Sequence, residues 1–569
     1  IARGYVATSE KKMSEDNISK MGDSFSDKFE NGVASGEGSD TTEIKREAGS
    51  VIPTGATYTP SGKTALTGNG TNKFPDAPSS GDTYEEGDYK YSFYSDGWSV
   101  EVKDKTKTEY GEIIAEISKN KITSVDFTFM ECTSLTKAPT IPNSVTSMFD
   151  AFSGCTSLKS MPVIPNKVKN MCCAFSGCTS LTKTSNIPNG VTDMTSTFAS
   201  CTSLTTAPAI PSSVANMWAT FQDCTSLTTV PVISNGVKDM SYTFQGCTSL
   251  TTALIKIPSS ITSMEGTFSD CISLTTAPDI SDGVNITNFF ETFVGCTSLT
   301  TPPMLPKKMN NITSLQGTFS CCSSFTAAPS IPDGINSLFH TFSGCTSLIV
   351  PPVIPNDVTN IIGIFSGCTS LTTAPTIPIK TTDVACAFSG CTSLKTYVGS
   401  TDPDGDFSNY KFSDNTTDIS QTFQKCTSLT TAPVIPNNVE NMDNTFYGCT
   451  KLKTAPKIPD SVIKMFETFE NCTSLITAPA IPDSITDMGY TFNGCASLTT
   501  APTIPNNVTN MNGTFKNCTS LTGTITINAN PTRYNNCFKD TTKSITLTGS
   551  STKLTKIAAT ATNGNVTVK

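Results

Sequence analysis

The chain has 569 residues, too many for one ordinary globular core and suited to several domains or one long repeat array. Only 15% of residues are charged, and 39 Lys and Arg against 48 Asp and Glu give a net charge of -9; with no long basic run, a nucleic-acid partner is excluded. No apolar run reaches the ~18 residues of a membrane-spanning helix, and the opening Ile1-Ala2-Arg3-Gly4 has no signal-peptide core, so it reads as an internal or processed start.

Residues 1–83 are poor in large apolar side chains and read as a flexible N-terminal or attachment segment, able to join the chain to a larger assembly. Within it, Met13, Ile18, Met21, Phe25 and Phe29 space an amphipathic helix over Lys11–Phe29, and Gly32–Ser80 has the Ser, Gly and Thr content of a linker. Residues 84–125 change character. Tyr89, Tyr91, Phe93 and Tyr94 face Trp98–Val102 across Ser95-Asp96-Gly97, a hairpin pattern, and a helix is expected over Glu109–Ile117. Open solenoid ends expose apolar surface, so this segment is assigned as an N-terminal cap.

Residues 126–522 carry about seventeen copies of one unit. The tract Phe-x-x-Cys-Thr-Ser-Leu begins at Phe129, and its Cys recurs every 23 residues from Cys132 to Cys247. Longer steps lead to Cys271, Cys296 and Cys322, and a 35-residue step separates Cys391 from Cys426. In one clean unit, Cys495, Leu498, Ala501, Ile504, Val508, Met511 and Phe515 form an apolar stripe that only stacked neighbours can bury. Ser497–Ala501 is a short strand ended by Pro502, Asn506-Asn507 a turn, and Val508 to Phe515 a helical or 3₁₀ turn opposite it. The fold class is therefore a leucine-rich-repeat-like solenoid, with short parallel strands on one face and turns or short helical segments on the other. Residues 523–569 close it as a C-terminal cap: a last strand at Gly523–Ile527, a degenerate repeat at Cys537-Phe538, then strand, short helix and strand over 544–569.

Phe-x-x-Cys-x-x-Leu, followed by Ile-Pro-x-x-Val-x-x-Met, resembles the BspA-type leucine-rich repeats of bacterial and protist surface proteins. Ala-Pro stands where that family usually has an Ile in the strand, Met replaces Ile near the turn, and Cys replaces the Asn of other leucine-rich repeats. The resemblance implies adhesion to host proteins or to other cells, at a cell surface or outside the cell.

Chemistry is sparse. The single His340 sits in a repeat position and lacks a nucleophile's context, no phosphate loop is present, and no catalytic residue or cofactor site is assigned. One Cys per coil reads as a small buried hydrophobe, and a free-thiol ladder implies a reducing or anaerobic setting, or assembly inside a cell. The insertion before Cys426 holds Asp402, Asp404 and Asp406, candidate calcium ligands on an otherwise solvated loop, although Gly405 is fourth and Ser413 twelfth, unlike an EF-hand. Trp218, Tyr242, Phe289 and Phe290 are the candidate binding-surface aromatics. The function expected is non-enzymatic binding of a host or neighbouring-cell protein or glycan. The alternatives are a phage or virion structural or receptor-binding protein and, from Thr-Thr columns such as Thr205-Thr206 and Thr499-Thr500, an ice-binding solenoid.

Overall fold

Each repeat closes as one coil of a solenoid, because its apolar stripe finds cover only on the same stripe of the next coil. The computed structural model describes residues 43–280, 285–307, 309, 311–400 and 406–569, and Ile44–Lys569 form one unit of about 21 turns. The expected helix over Lys11–Phe29 lies outside the described residues.

The coils are joined chiefly through the residues that precede each Cys. In the coil ending at Cys178, the amides of Met171, Cys173, Phe175 and Gly177 donate to carbonyls of Asp193, Thr195, Thr197 and Ala199 in the next coil, at 3.4, 2.8, 2.9 and 2.7 Å. The intervening amides of Ala174, Ser176 and Cys178 turn back on Met171, Cys173 and Phe175 of their own coil. Such alternation requires left-handed backbone five residues and one residue before each Cys, here Cys173 (φ 56°) and Gly177 (φ 71°). The pair recurs from Phe127 and Glu131 to Asn536 and Asp540. Left-handed L-residues break an α-helix, so the segment expected to be helical or 3₁₀ is a run of turns.

Side chains stitch in the opposite direction. Four residues before the Cys, Thr197 donates its hydroxyl to the Met171 carbonyl of the preceding coil at 2.9 Å, and Thr514 does the same to Met488 at 2.9 Å. The column thiols donate to the preceding coil's Phe carbonyl: Cys201 to Phe175 at 3.2 Å and Cys518 to Phe492 at 3.1 Å. Eight residues before the Cys, Asn170 and Asp193 accept the amide two residues on, at 2.9 and 2.8 Å. Behind these bonds the phenylalanines form an unbroken stack from Phe129 to Phe538, neighbouring ring centroids 4.9–6.0 Å apart and planes within 15°. The Cys and Leu columns are wholly buried beside it.

The expected Ser-Leu-Thr-Thr-Ala strand is reduced mostly to single bridges such as Thr454–Thr477 and Thr477–Thr500. The following Pro has no N–H to extend the ladder. Thr hydroxyls here point along the axis, Thr228 to the Thr205 carbonyl at 3.3 Å and Thr499 to Ile476 at 3.2 Å, so they serve as inter-coil donors.

At the N-terminal end, β1 (Lys45–Arg46), β2 (Thr57–Thr59), β3 (Leu66–Thr67), β4 (Thr83–Glu86), β5 (Tyr89–Tyr94), β6 (Gly97–Val102), β7 (Glu116–Ile117) and β8 (Asn120–Ser124) form one sheet in the order β1-β7-β8-β6-β5-β4-β2-β3. The β5–β6 hairpin is the expected one. Residues 44–80, by contrast, are not a linker: Ile52, Ala56, Tyr58 and Phe74 are buried, and Gly49, Gly55 and Gly62 shape turns with positive φ. Nor is Glu109–Ile117 a helix. Ile113, Ile114, Ala115 and Ile117 are all buried, a run no amphipathic helix would show, and the segment ends as β7 between β1 and β8. β8 continues into the solenoid through the Ser124–Ser147 bridge, and Tyr89 and Tyr110 cover the exposed end of the ring stack at Phe129, with centroids 6.2 and 5.3 Å away.

At the other end β11 (Gly523–Thr526), β12 (Ile545–Thr548) and β13 (Val566–Val568) form a parallel sheet. Before it lie β9 (Thr373–Ala374) and β10 (Thr396–Tyr397), paired in mid-solenoid. α1 (Leu554–Ala558), the only helix among the described residues, buries Leu554 and Ile557. Phe538 ends the stack, but Cys537 falls in the Thr column and Thr541 takes the place of the column Cys.

Truncating a ring inside the stack removes contacts with both neighbours. Phe342→Ala is expected to lower stability by about 3–5 kcal/mol in urea unfolding, with Phe339→Ala, half-buried on the outside, costing less than half as much. Equal losses would contradict the stack's role.

Candidate binding surface

The apolar columns repeat almost unchanged along the chain, whereas the two residues six and five before each Cys change from coil to coil. They read Asp126-Phe127, Phe149-Asp150, Trp218-Ala219, Ser241-Tyr242, Glu265-Gly266, Phe290-Glu291, Phe339-His340, Phe466-Glu467 and Gly489-Tyr490 in nine of the coils. These outer columns lie on the turn tract, so the coil spacing that stacks the phenylalanines also sets these side chains in line. Neither column contains Lys or Arg.

Large outer residues lie along the axis, over glycines of the next coil. A Cβ on Gly266 would stand 2.6 Å from the Tyr242 ring, and one on Gly513 would stand 2.5 Å from the Tyr490 ring. Positive φ at both glycines adds to their requirement. Rings so placed lie against the backbone of the next coil and remain half-buried. Trp218 meets Tyr242 edge-on at 6.0 Å, and Phe127 meets Phe149 at 5.1 Å.

Three of the four expected surface aromatics, Trp218, Tyr242 and Phe290, lie half-buried in these columns. Phe289 does not. The coil before Cys296 is longer than 23 residues, and Phe289 falls in the Met column, 1% exposed and edge-on to Phe293 at 6.2 Å. Beside Tyr242 and Phe290 stand Glu265, Asp270 and Glu291. Glu265 accepts hydrogen bonds from the Tyr242 hydroxyl and, at 2.8 Å, from Asn288. Partial burial, then repulsion from Glu265 and Asp270, raises Glu291 above the usual carboxylate range. A like group, Asp443 with Glu467 and Glu470, flanks Phe466, and burial raises all three. Sequence reasoning picked aromatics one at a time and missed the carboxylates, although the large-residue-then-glycine alternation in one column was available as a signal.

The sequence profile of the BspA-type leucine-rich repeat region matches residues 120–251, 340–475, 403–522 and 443–566, more than half of the chain. The chain belongs to the BspA-type leucine-rich repeat family. A profile described as a Mycoplasma protein of unknown function matches 212–331 of this BspA-type chain. No curated protein matches it. Among solved structures, it is similar to a leucine-rich repeat protein from Bacteroides ovatus (21% identity, TM-score 0.45, covering 71% of this chain and 94% of that one). It is also similar to a leucine rich cell surface protein from Faecalibacterium prausnitzii (21% identity, TM-score 0.36, covering 74% and 94%).

His340 lies over Gly363 and edge-on to Phe339 at 4.4 Å, and burial lowers its pKa. Asp402 and Asp404 of the expected calcium loop lie outside the described residues. Asp406 accepts from the Ser408 amide and hydroxyl, both at 2.8 Å, and from the Thr431 hydroxyl at 3.0 Å, which ties the insertion to the next coil. From Phe407 on, the described part of that insertion is not a solvated loop: Phe407, Tyr410 and Phe412 are buried against Phe388 and Phe423, whose stack continues at 5.6 Å. Among the described residues no three His, Cys, Asp or Glu side chains converge as metal ligands, and no helix is long and apolar enough to cross a membrane. Every described cysteine is a free thiol.

Burial raises the column thiols, Cys178, Cys271 and Cys472 among them, well above the ordinary value of 9.0. Iodoacetamide is therefore expected to label exposed Cys321 in the native protein and to reach these three only after unfolding. Their early appearance in peptide mass spectrometry would contradict the buried ladder. The unfolded chain ionises first, so the stability these thiols contribute is whole below pH 9.0 and declines as pH rises beyond it. A melting temperature unchanged from pH about 8 to about 11 would contradict that coupling.

Proposed function

We propose that this chain is a non-enzymatic binding module, displayed at a cell surface, which presents its outer columns to a protein or glycan of a host or neighbouring cell. One observation carries the reading: two adjacent columns of the turn tract set aromatic and acidic side chains side by side along the axis, while the columns that build the core hardly vary. Several coils fill these columns with Trp, Tyr, Phe, Asp or Glu, and aromatic side chains are the ones that anchor interfaces. A long solenoid gives such anchors an extended, rigid track. Display outside the cell rests on the family resemblance.

Retention of the whole chain on immobilised matrix proteins, intact cells and a glycan array tests this. Binding to at least one surface is expected, with loss when Trp218, Tyr242 and Phe290 are changed together to Ala and the melting curve is preserved. Binding to none, or retention untouched by that triple change, would overturn it.

A further inference from the structure

We propose that the outer track from Trp218 to Glu291 receives a cationic polypeptide segment, one bearing Lys or Arg side chains, as its partner. This rests on the binding-module reading and names the chemistry of what binds. The two outer columns carry carboxylates at Asp126, Asp150, Glu265, Glu291, Asp443 and Glu467, and no cation in any coil. The chain as a whole sets 39 basic against 48 acidic residues, so these columns are more one-sided in charge than the sequence overall.

Between Trp218 and Glu291 the two features a cation needs coincide. Tyr242 lies over Gly266 with its phenol on Glu265, and Asn288 holds the other Glu265 oxygen, so this carboxylate is fixed beside the ring. Phe290 and Glu291 follow one coil on, and Asp270 adds a third carboxylate close enough to raise Glu291. No lysine or arginine is among the charges acting on Glu291. A guanidinium or ammonium group set there meets aromatic faces and carboxylates together, gaining cation–π attraction and charge-assisted hydrogen bonds while relieving repulsion among the acids. A neutral glycan could stack on the rings but would leave the carboxylates crowded, and an anionic polymer or membrane would be repelled. Basic side chains three residues apart on an extended partner stand about 10 Å apart, about two coils of the track at the roughly 4.8 Å spacing of stacked strands.

The test uses the whole chain and a fluorescent Arg-Gly-Ser repeat peptide, read by anisotropy at low and raised salt. Binding that weakens with salt is expected, with an affinity loss of about tenfold in Glu265→Gln/Glu291→Gln and in Trp218→Ala/Tyr242→Ala. Asp357→Asn, which removes an exposed carboxylate from an ion pair with Lys380 elsewhere, should leave the affinity unchanged. Circular dichroism melts establish that each variant is folded. No binding of the peptide, or equal loss in the Asp357 variant, overturns the proposal. So does tighter capture of a neutral oligosaccharide at Trp218 and Tyr242 that ignores the Glu265/Glu291 change. The last result would leave the binding-module reading standing, whereas failure to retain any protein, cell or glycan would remove that reading itself.

Discussion

Every coil of this solenoid directs backbone amides out of its own plane, and only the carbonyls of the next coil can accept them. Leaving a buried amide unpaired costs more than a typical hydrogen bond returns, so a single coil has no stable existence apart from its neighbours. The left-handed residues five and one before each Cys follow from this. They aim alternate amides along the axis, and non-glycine residues such as Cys173 and Tyr242 adopt that backbone at a cost of about 1–2 kcal/mol each. The Thr hydroxyls and Cys thiols complete the arrangement by donating back to the preceding coil. Cys suits its column because it is small and apolar enough to lie beside Phe yet still carries a weak donor for a buried carbonyl.

The same constraint governs where the chain is free to vary. Insertions leave the turn tract untouched: the 35-residue step places Phe407, Tyr410 and Phe412 under a bulge while Phe388 still stacks on Phe423. The ends must be closed, and they are closed differently. Tyr89 and Tyr110 cover the first ring of the stack from an eight-stranded sheet, and a parallel sheet with a short helix follows the last. Outward side chains of the turn tract add inter-coil bonds where they are acidic, as Asp126 and Asp443 do by accepting the Phe149 and Phe466 amides at 2.7 and 2.8 Å, but the backbone stitching does not depend on them, which frees them to differ. A structural requirement on the backbone thus produces an ordered row of positions on which recognition can be built.

The solenoid itself was legible because its Phe, Cys and Leu columns repeat at fixed spacing, and the hairpin at Ser95–Gly97 was legible from alternation. The turn tract was not, since nothing in residues as different as His340, Glu467 and Cys386 announces a shared left-handed backbone. The spacing of Val508, Met511 and Phe515 looks helical for the same reason: it reports which side chains point inward, and turns with an alternating backbone produce that spacing as well. Residues 44–80 looked like a linker because four buried apolar side chains are diluted among turn glycines. Phe289 reads as a surface aromatic when it is considered apart from its column; counted from Cys296 it stands seven residues ahead, where other coils carry the buried Met. The grouping of Tyr242 with Glu265 and Glu291 depends on register between coils, which the linear order hides.

Amide hydrogen exchange across the whole solenoid measures this account most directly. If coil-to-coil bonds of the turn tract hold the molecule together, the amides from the Met column to the Cys column should exchange slowest in every interior coil, for example over 171–178 and 488–495. The Thr-Thr-Ala-Pro stretches, such as 205–208 and 499–502, should exchange markedly faster. Protection concentrated instead in the Thr-Thr stretches, with the turn tract exchanging freely, would show that the strands carry the solenoid and would contradict the central claim.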